Sequence, residues 1–132
     1  MVSYIKSMIM KTIGYLLVVI LFFGCSPNDD DITWIRVKNI SSYDFADVIV
    51  NTNGGENNYG NILANAISGY ESFDFAYSYA FIELKINNNT YTIQPIDYVG
   101  ETPLTPGKYT YSIDVSPEGD QYSRLILYLV KD

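Results

Sequence analysis

Apolar and polar side chains alternate one by one along the segment Gly107–Val115, GKYTYSIDV, and this alternation constrains the fold more than any other feature. Tyr109, Tyr111, Ile113 and Val115 fall on one side, opposite a mostly polar set. A two-residue period is that of a β-strand with one buried face, because successive side chains of a strand point to opposite sides. The segment therefore predicts a strand that packs on a hydrophobic core.

Similar segments recur through the rest of the chain after residue 31, separated by short clusters of Asn, Gly, Pro and Ser. The clearest predicted strands cover residues 32–38, 45–51, 77–86, 90–94, 107–115 and 122–131. Asn87–Asn89 predicts a hairpin turn, because Asn tolerates a positive φ. About seven strands within some 100 residues predict an all-β fold, an antiparallel β-sandwich.

Three segments are harder to interpret. Asn51–Asn61 is rich in Asn and Gly, which predicts a loop. Ile62–Phe75 fits either two helical turns that stop at Gly69 or extended structure that bends there, and we prefer the extended form. Tyr122–Lys131 is apolar on both faces, which predicts a central strand of a sheet.

The segment Leu104–Val115, LTPGKYTYSIDV, resembles the turn and penultimate strand of immunoglobulin-like and fibronectin-like sandwiches. The resemblance implies that Tyr109 is the corner tyrosine of such a domain. The Cys…Trp…Cys pattern of true immunoglobulin domains is absent, so the resemblance implies only the general immunoglobulin-like sandwich architecture.

Composition excludes several classes of function. The chain has no histidine and one cysteine, which excludes a Ser-His-Asp or Cys-His catalytic set, a His-ligated zinc and an intramolecular disulfide. Its net charge of −7 makes nucleic acid an unsuitable partner, because binding to phosphates depends on Lys and Arg. We expect no metal and no cofactor.

The first residues have the pattern of a secretory signal. Lys6 and Lys11 precede an apolar run of about a dozen residues, Thr12–Gly24, which is shorter than the roughly 20 residues of a membrane-spanning helix. A basic start, a short apolar stretch and a small residue at its end predict a signal peptide, and translation can begin at Met1 or at Met10. A short membrane anchor or a buried core helix is the alternative.

The end of this run resembles the lipobox of bacterial lipoproteins. Gly24 and Cys25 fit that motif, while Phe22 and Phe23 stand where the usual box has a Leu-type and a small residue. The resemblance implies that residues 1–24 are removed and that the Cys25 thiol carries the lipid. Stable anchoring needs two or more acyl chains, which a diacylated cysteine with an acylated amino terminus supplies.

An acidic stretch follows the cysteine directly. Ser26, Asp29, Asp30 and Asp31 belong to a segment that is similar to the export signal of surface lipoproteins in the Bacteroidota. The similarity implies a protein anchored in the outer membrane and displayed on the cell surface. A solvated tether is the alternative, since acidic runs are usually solvated. The chain is thus divided into a signal peptide (1–24), a lipidated tether (25–31) and a sandwich (32–132).

Aromatic residues in or beside loops are the candidate binding residues. We select Tyr59, Tyr70 and Tyr98, because aromatic side chains on a rigid sandwich can stack on sugar rings or anchor a protein partner. The alternative is that these aromatics pack the sandwich and its edges, which is the interpretation that we favour for Trp34. The sequence therefore predicts a non-catalytic module that binds a glycan or a protein.

Two other classes of function stay open. A small glycan hydrolase would need two carboxylates about 5–10 Å apart, and Asp97 with Glu101, or Asp44 with Asp47, are the available pairs. The alternative for these aspartates is a hydrogen bond to their own turn. A structural accessory subunit of an outer-membrane complex is the third class.

Overall fold

The computed structural model describes Gly24 and residues 28–132. Residues 1–23 and 25–27 lie outside the described residues. They carry most of the predicted signal peptide, the lipidation site Cys25 and Ser26 of the export signal. Eight strands follow a short 3-10 turn at Asp29–Asp31: β1 (Thr33–Asn39), β2 (Phe45–Asn51), β3 (Glu56–Ile62), β4 (Glu71–Phe73), β5 (Phe81–Ile86), β6 (Asn89–Ile93), β7 (Gly107–Val115) and β8 (Leu125–Lys131).

The strands form two four-stranded sheets that pack face to face. Their orders are β4-β1-β7-β8 and β3-β2-β5-β6. Neighbouring strands are antiparallel, except that β1 and β7 run parallel. The predicted all-β sandwich is therefore confirmed, with eight described strands where the sequence indicated about seven.

Alternation along each strand decides which side chains enter the core. In β1, Thr33, Ile35 and Val37 are buried, whereas Trp34 and Arg36 point to the outer face and are half-buried. The other strands, together with Ala76 and Ala80 of the connection between β4 and β5, extend this set to one continuous cluster: Phe45, Val48, Val50, Ile62, Phe73, Ala76, Ala80, Ile82, Leu84, Ile86, Tyr109, Tyr111, Ile113 and Leu125. The cluster lies between the two sheets, as burial of one face of each sheet requires.

The loop prediction for Asn51–Asn61 was wrong over its second half. Glu56–Ile62 is strand β3, which pairs with β2 at the edge of its sheet. Propensity is weak for this segment, but the unpaired edge of β2 offers backbone hydrogen bonds that its residues can satisfy. Gly60, at a φ of +67°, lies opposite Val48 at an irregularity in this pairing, where a positive φ favours glycine.

The prediction that the last strand is central was also wrong, because β8 forms the edge of its sheet. Its outward side chains Ile126, Tyr128 and Val130 are between a third and a half exposed. These outward residues make the strand apolar on both faces without burying both faces. Apolar content alone therefore cannot distinguish an edge strand from a central strand.

The segment Ile62–Phe75 is extended, as we preferred, but its turn lies at Ala64 and Asn65 and not at Gly69. It ends β3, makes a turn near Ala64, forms an isolated bridge from Ile67 to Lys38 and continues into β4. Nothing within the described range forms a helix with the length and apolar character that a membrane crossing demands.

Tyr109 occupies the corner position that the sequence predicted for it. Its hydroxyl donates a hydrogen bond of 2.7 Å to the backbone carbonyl of Thr105, four residues upstream, while its ring is buried in the core. The bond ties the connection that precedes β7 to the sandwich, which is the arrangement of a tyrosine corner.

We expect Tyr109→Phe to lower the free energy of unfolding by about 1 kcal/mol, because the carbonyl of Thr105 loses its hydroxyl partner while the ring stays in place. Tyr122→Phe is the matched control, since Tyr122 is mostly exposed, and its effect should be close to zero. Urea unfolding followed by circular dichroism measures both. Equal effects of the two substitutions would contradict a role for the corner bond.

Candidate functional site

An open concavity lies on the outer face of the sheet that contains β1 and β7. The pairing register places Trp34 of β1 beside Lys108 of β7. Around them is an open groove of about 570 Å³, lined by Asp29, Asp30, Ile32, Trp34, Tyr70, Pro106, Gly107 and Lys108. We call this concavity the Trp34 groove.

Tyr70 forms one wall of the Trp34 groove and is held from several directions. The Arg36 guanidinium carbon lies 4.9 Å and the Lys108 Nζ lies 5.1 Å from the centroid of its ring. Its hydroxyl donates a hydrogen bond of 2.6 Å to Oδ2 of Asp132. Cations over the ring and a charged acceptor at its tip fix the orientation of Tyr70.

A polar network behind Tyr70 joins β1, β7 and the residue after β8. Arg36 Nε donates to Thr110 Oγ1 at 2.9 Å, and the Thr110 hydroxyl lies within 2.9 Å of both carboxylate oxygens of Asp132. Arg36 also forms an ion pair with Asp132 at 3.4 Å. The network connects the wall of the groove to the sheet beneath it.

The charges of this network shift two pKa values in opposite directions. The hydrogen bond to Asp132 raises the pKa of the Tyr70 hydroxyl. Burial acts to raise the pKa of the Asp132 side chain, but the hydrogen bonds from Tyr70 and Thr110 and the charge of Arg36 outweigh it, so this pKa is lowered. Both shifts favour the same pairing, with a neutral tyrosine and an ionised aspartate.

Trp34 is not part of the core cluster, and its half-buried position agrees with the packing on the sandwich and its edges that we favoured, although it also lines the groove. It lies on the outer face of β1, half-buried, between Ser72 of β4 and Lys108 of β7. The alternation of β1 contained this information, because Ile35 and Val37 on the other side form the core-facing set. A large aromatic on the polar side of an alternating strand is therefore the signal for this site.

The Trp34 groove combines groups of both charges with an apolar surface. Asp29 and Asp30, in the short turn before β1, add two acidic residues to the lining of the groove, and Lys108 adds an ammonium group. An indole offers a flat apolar face, while carboxylates and the ammonium accept and donate hydrogen bonds. Such a set suits a ligand with an apolar face and many hydroxyl groups.

Tyr98 lies in a different aromatic cluster, in the connection between β6 and β7. Its ring stacks on Tyr77 at a centroid distance of 4.6 Å and on Tyr79 at 5.4 Å, with interplanar angles of 19° and 10°. The Tyr111 hydroxyl donates to the Tyr77 carbonyl at 2.6 Å, which anchors the cluster to the core. Burial raises the pKa of Tyr98. These contacts hold the connection in place, and Tyr98 does not line the Trp34 groove.

Tyr59 lies on β3, in the opposite sheet from Tyr70. Its ring packs against the core, and its hydroxyl donates a hydrogen bond of 2.8 Å to the carbonyl of Ile35. Burial strongly raises the pKa of this hydroxyl. Of the three tyrosines that the sequence selected, only Tyr70 reaches the groove, and the structure does not bring the three together.

The three aspartates of the hydrolase hypothesis are engaged in separate contacts. Asp44 accepts a hydrogen bond from the Ala64 amide, Asp47 pairs with Lys85 at 2.9 Å, and Asp97 accepts from the amide two residues on. None of them lines the Trp34 groove. Among the described residues, no cluster of three or more Asp, Glu, Cys or His side chains is arranged to hold a metal ion.

Comparison with known proteins supports the fold alone. The chain matches no known protein family and no curated protein. It is similar to an NMR structure of a protein from Eubacterium rectale, with a TM-score of 0.55, 12% sequence identity, and coverage of 81% of this chain and 94% of that one. At this identity the similarity shows that the two chains share a sandwich architecture.

We expect Tyr70→Phe to raise the pKa of Asp132 towards its ordinary value, because one of the hydrogen bonds that favour the ionised form is lost. A lowered folded-state pKa stabilises the fold at any pH above the unfolded-state pKa of about 3.9. This stabilisation is lost as the pH falls from that value through the lower, folded-state pKa. The stability difference between the two proteins should therefore shrink below about pH 4.

Carbon-13 titration of the Asp132 carboxyl group measures this pKa directly. Tyr128→Phe provides the control, because Tyr128 lies on the same outer face, in β8, with two strands between it and β4. An unchanged Asp132 titration in Tyr70→Phe would show that the hydroxyl of Tyr70 does not stabilise the carboxylate.

Proposed function

We propose that this protein is a lipid-anchored, surface-displayed bacterial module that binds a saccharide in the Trp34 groove without catalysis. The observation that carries the binding proposal is the groove itself. It has a volume of about 570 Å³ and is lined by the indole of Trp34, by Asp29 and Asp30, and by the ammonium group of Lys108. Ligand sites are typically concave, with an apolar surface and a few polar groups that fix orientation. Sugar rings match this composition, because they have apolar faces and hydroxyl edges.

Location is the second part of the proposal. The apolar run that ends at Gly24 and Cys25 supports lipid attachment at Cys25, and the acidic segment that follows supports export to the outer surface of the outer membrane. Asp29, Asp30 and Asp31 are exposed, so they are accessible to an export receptor. The domain would then meet extracellular glycans while its lipid stays in the membrane.

Because Trp34 is the only tryptophan of the chain, its fluorescence reports directly on the groove. We expect a glycan array of neutral and uronic-acid oligosaccharides to identify ligands that change this fluorescence in a saturable way. Trp34→Ala should then weaken binding by a factor on the order of thirty, measured by calorimetry, since a central aromatic contact contributes about 2 kcal/mol.

Lys108→Ala should weaken binding to a smaller extent, because it removes one polar contact and leaves the indole in place. Tyr122→Ala is the control, because Tyr122 is exposed and lies outside the groove. An array without ligands, or unchanged binding by Trp34→Ala, would refute the proposed site.

We expect cells grown with labelled fatty acid to label the wild-type protein and to leave Cys25→Ala unlabelled, because the thiol is the proposed point of attachment. Label that persists in Cys25→Ala would place the lipid elsewhere. Surface display has its own measurement, protease treatment of intact cells. Replacement of Asp29, Asp30 and Asp31 by alanine should protect the domain from protease, and unchanged digestion would reduce the acidic segment to a tether.

A further inference from the structure

Two aliphatic side chains in the connection between β6 and β7 are fully exposed. Ile96 has a relative exposure of 101% and Val99 of 88%, the highest values among the large hydrophobic residues that the structure describes. They flank Tyr98, whose ring is half-buried, so two aliphatic side chains lie three residues apart at the tip of this connection. Clustered exposed apolar side chains on a soluble domain mark an interaction surface.

The connection is held firmly behind this tip. Tyr98 stacks on Tyr77 and Tyr79, and the Tyr79 hydroxyl donates a hydrogen bond of 3.1 Å to the carbonyl of Asp97. The amide of Glu101 donates to the carbonyl of Tyr98 at 3.1 Å, which closes a turn. The aliphatic side chains are thus presented outward by a supported turn.

This tip lies at the end of the sandwich from which the tether leaves. β7 begins at Gly107 and pairs in parallel with Thr33 at the start of β1, so both strands begin at the same end. The Gly107 amide also donates to the carbonyl of Ile32 at 3.2 Å. The connection before β7 and the chain that leads back to Cys25 therefore share one end of the domain.

We propose that Ile96 and Val99 enter the interfacial layer of an uncharged lipid surface when the domain is anchored there. This inference rests on the proposed lipid anchor at Cys25. Six residues separate Cys25 from Ile32, and the seven steps along this chain extend at most about 25 Å. The anchor therefore keeps this end of the domain beside the lipid, at a high local concentration.

The chemistry of the tip selects the kind of surface. The ring of Tyr98 between the two aliphatic residues is stacked on Tyr77 and Tyr79, so Ile96 and Val99 are the two side chains that can enter the apolar layer. Asp97 and Glu101 are exposed carboxylates in the same turn. They would be repelled by anionic headgroups, so zwitterionic lipids are the favoured surface.

Brominated lipids provide the test, because they quench tryptophan only at close range. The chain from Cys25 onward, carrying Trp34→Phe, is coupled through its single thiol to maleimide lipid in phosphatidylcholine vesicles that contain brominated phosphatidylcholine. One protein carries Ile96→Trp. The matched control carries Leu63→Trp, because Leu63 is 63% exposed and lies at the opposite end, next to the Ile62 carbonyl that binds the Asn39 side chain.

We expect several-fold stronger quenching at position 96 than at position 63, and a smaller difference in vesicles rich in phosphatidylglycerol. Equal quenching at both positions, or none at position 96, would overturn the lipid contact and leave a protein partner as the occupant of the tip. A dimer in sedimentation that Ile96→Ser with Val99→Ser abolishes would overturn it in favour of a second copy. Chemical coupling supplies the anchor, so these outcomes are independent of lipidation in cells.

Discussion

The parallel pairing of β1 with β7 is the contact on which the other features of this protein depend. Seven consecutive residue pairs join Thr33–Asn39 to Gly107–Ile113. A slip of one residue would move the core-facing side chains of β1 to the solvent face, so the burial of Ile35 and Val37 fixes the register. The same register places Trp34 beside Lys108 on the outer face. Core and groove are thus two faces of one pairing.

Two groups of aromatic residues have different roles in this sandwich. Around Tyr98, stacked tyrosines hold the connection before β7 against the core, and the buried hydroxyl of Tyr111 completes that support. Tyr70 is held by two cations and by Asp132. Trp34 lies between neighbouring strands on the outer face, where its indole lines the groove. A high aromatic content therefore does not identify a binding surface until the packing contacts of each ring are known.

The sequence predicted those parts of the fold in which local pattern and tertiary environment agree. β7 was predicted with its observed bounds because its alternation is regular and its apolar side chains Tyr109, Tyr111 and Ile113 enter the core. Glu56–Ile62 was missed because an edge strand with one partner needs little β propensity, so its Asn and Gly residues resemble a loop. The groove could be predicted only in part, because its residues come from the tether, from β1, from the residue before β4 and from β7. No local sequence pattern indicates that Asp29 and Lys108 line the same groove.

Asp29 and Asp30 belong both to the acidic segment and to the Trp34 groove, so the two proposed roles overlap in the same carboxylates. A substitution there changes the charge of the groove lining as well as the segment that an export receptor would contact. Asp31 is exposed and does not line the groove, so it belongs to the acidic segment alone. A substitution of Asp31 that alters surface display and leaves saccharide binding intact would therefore separate the role in export from the role in binding.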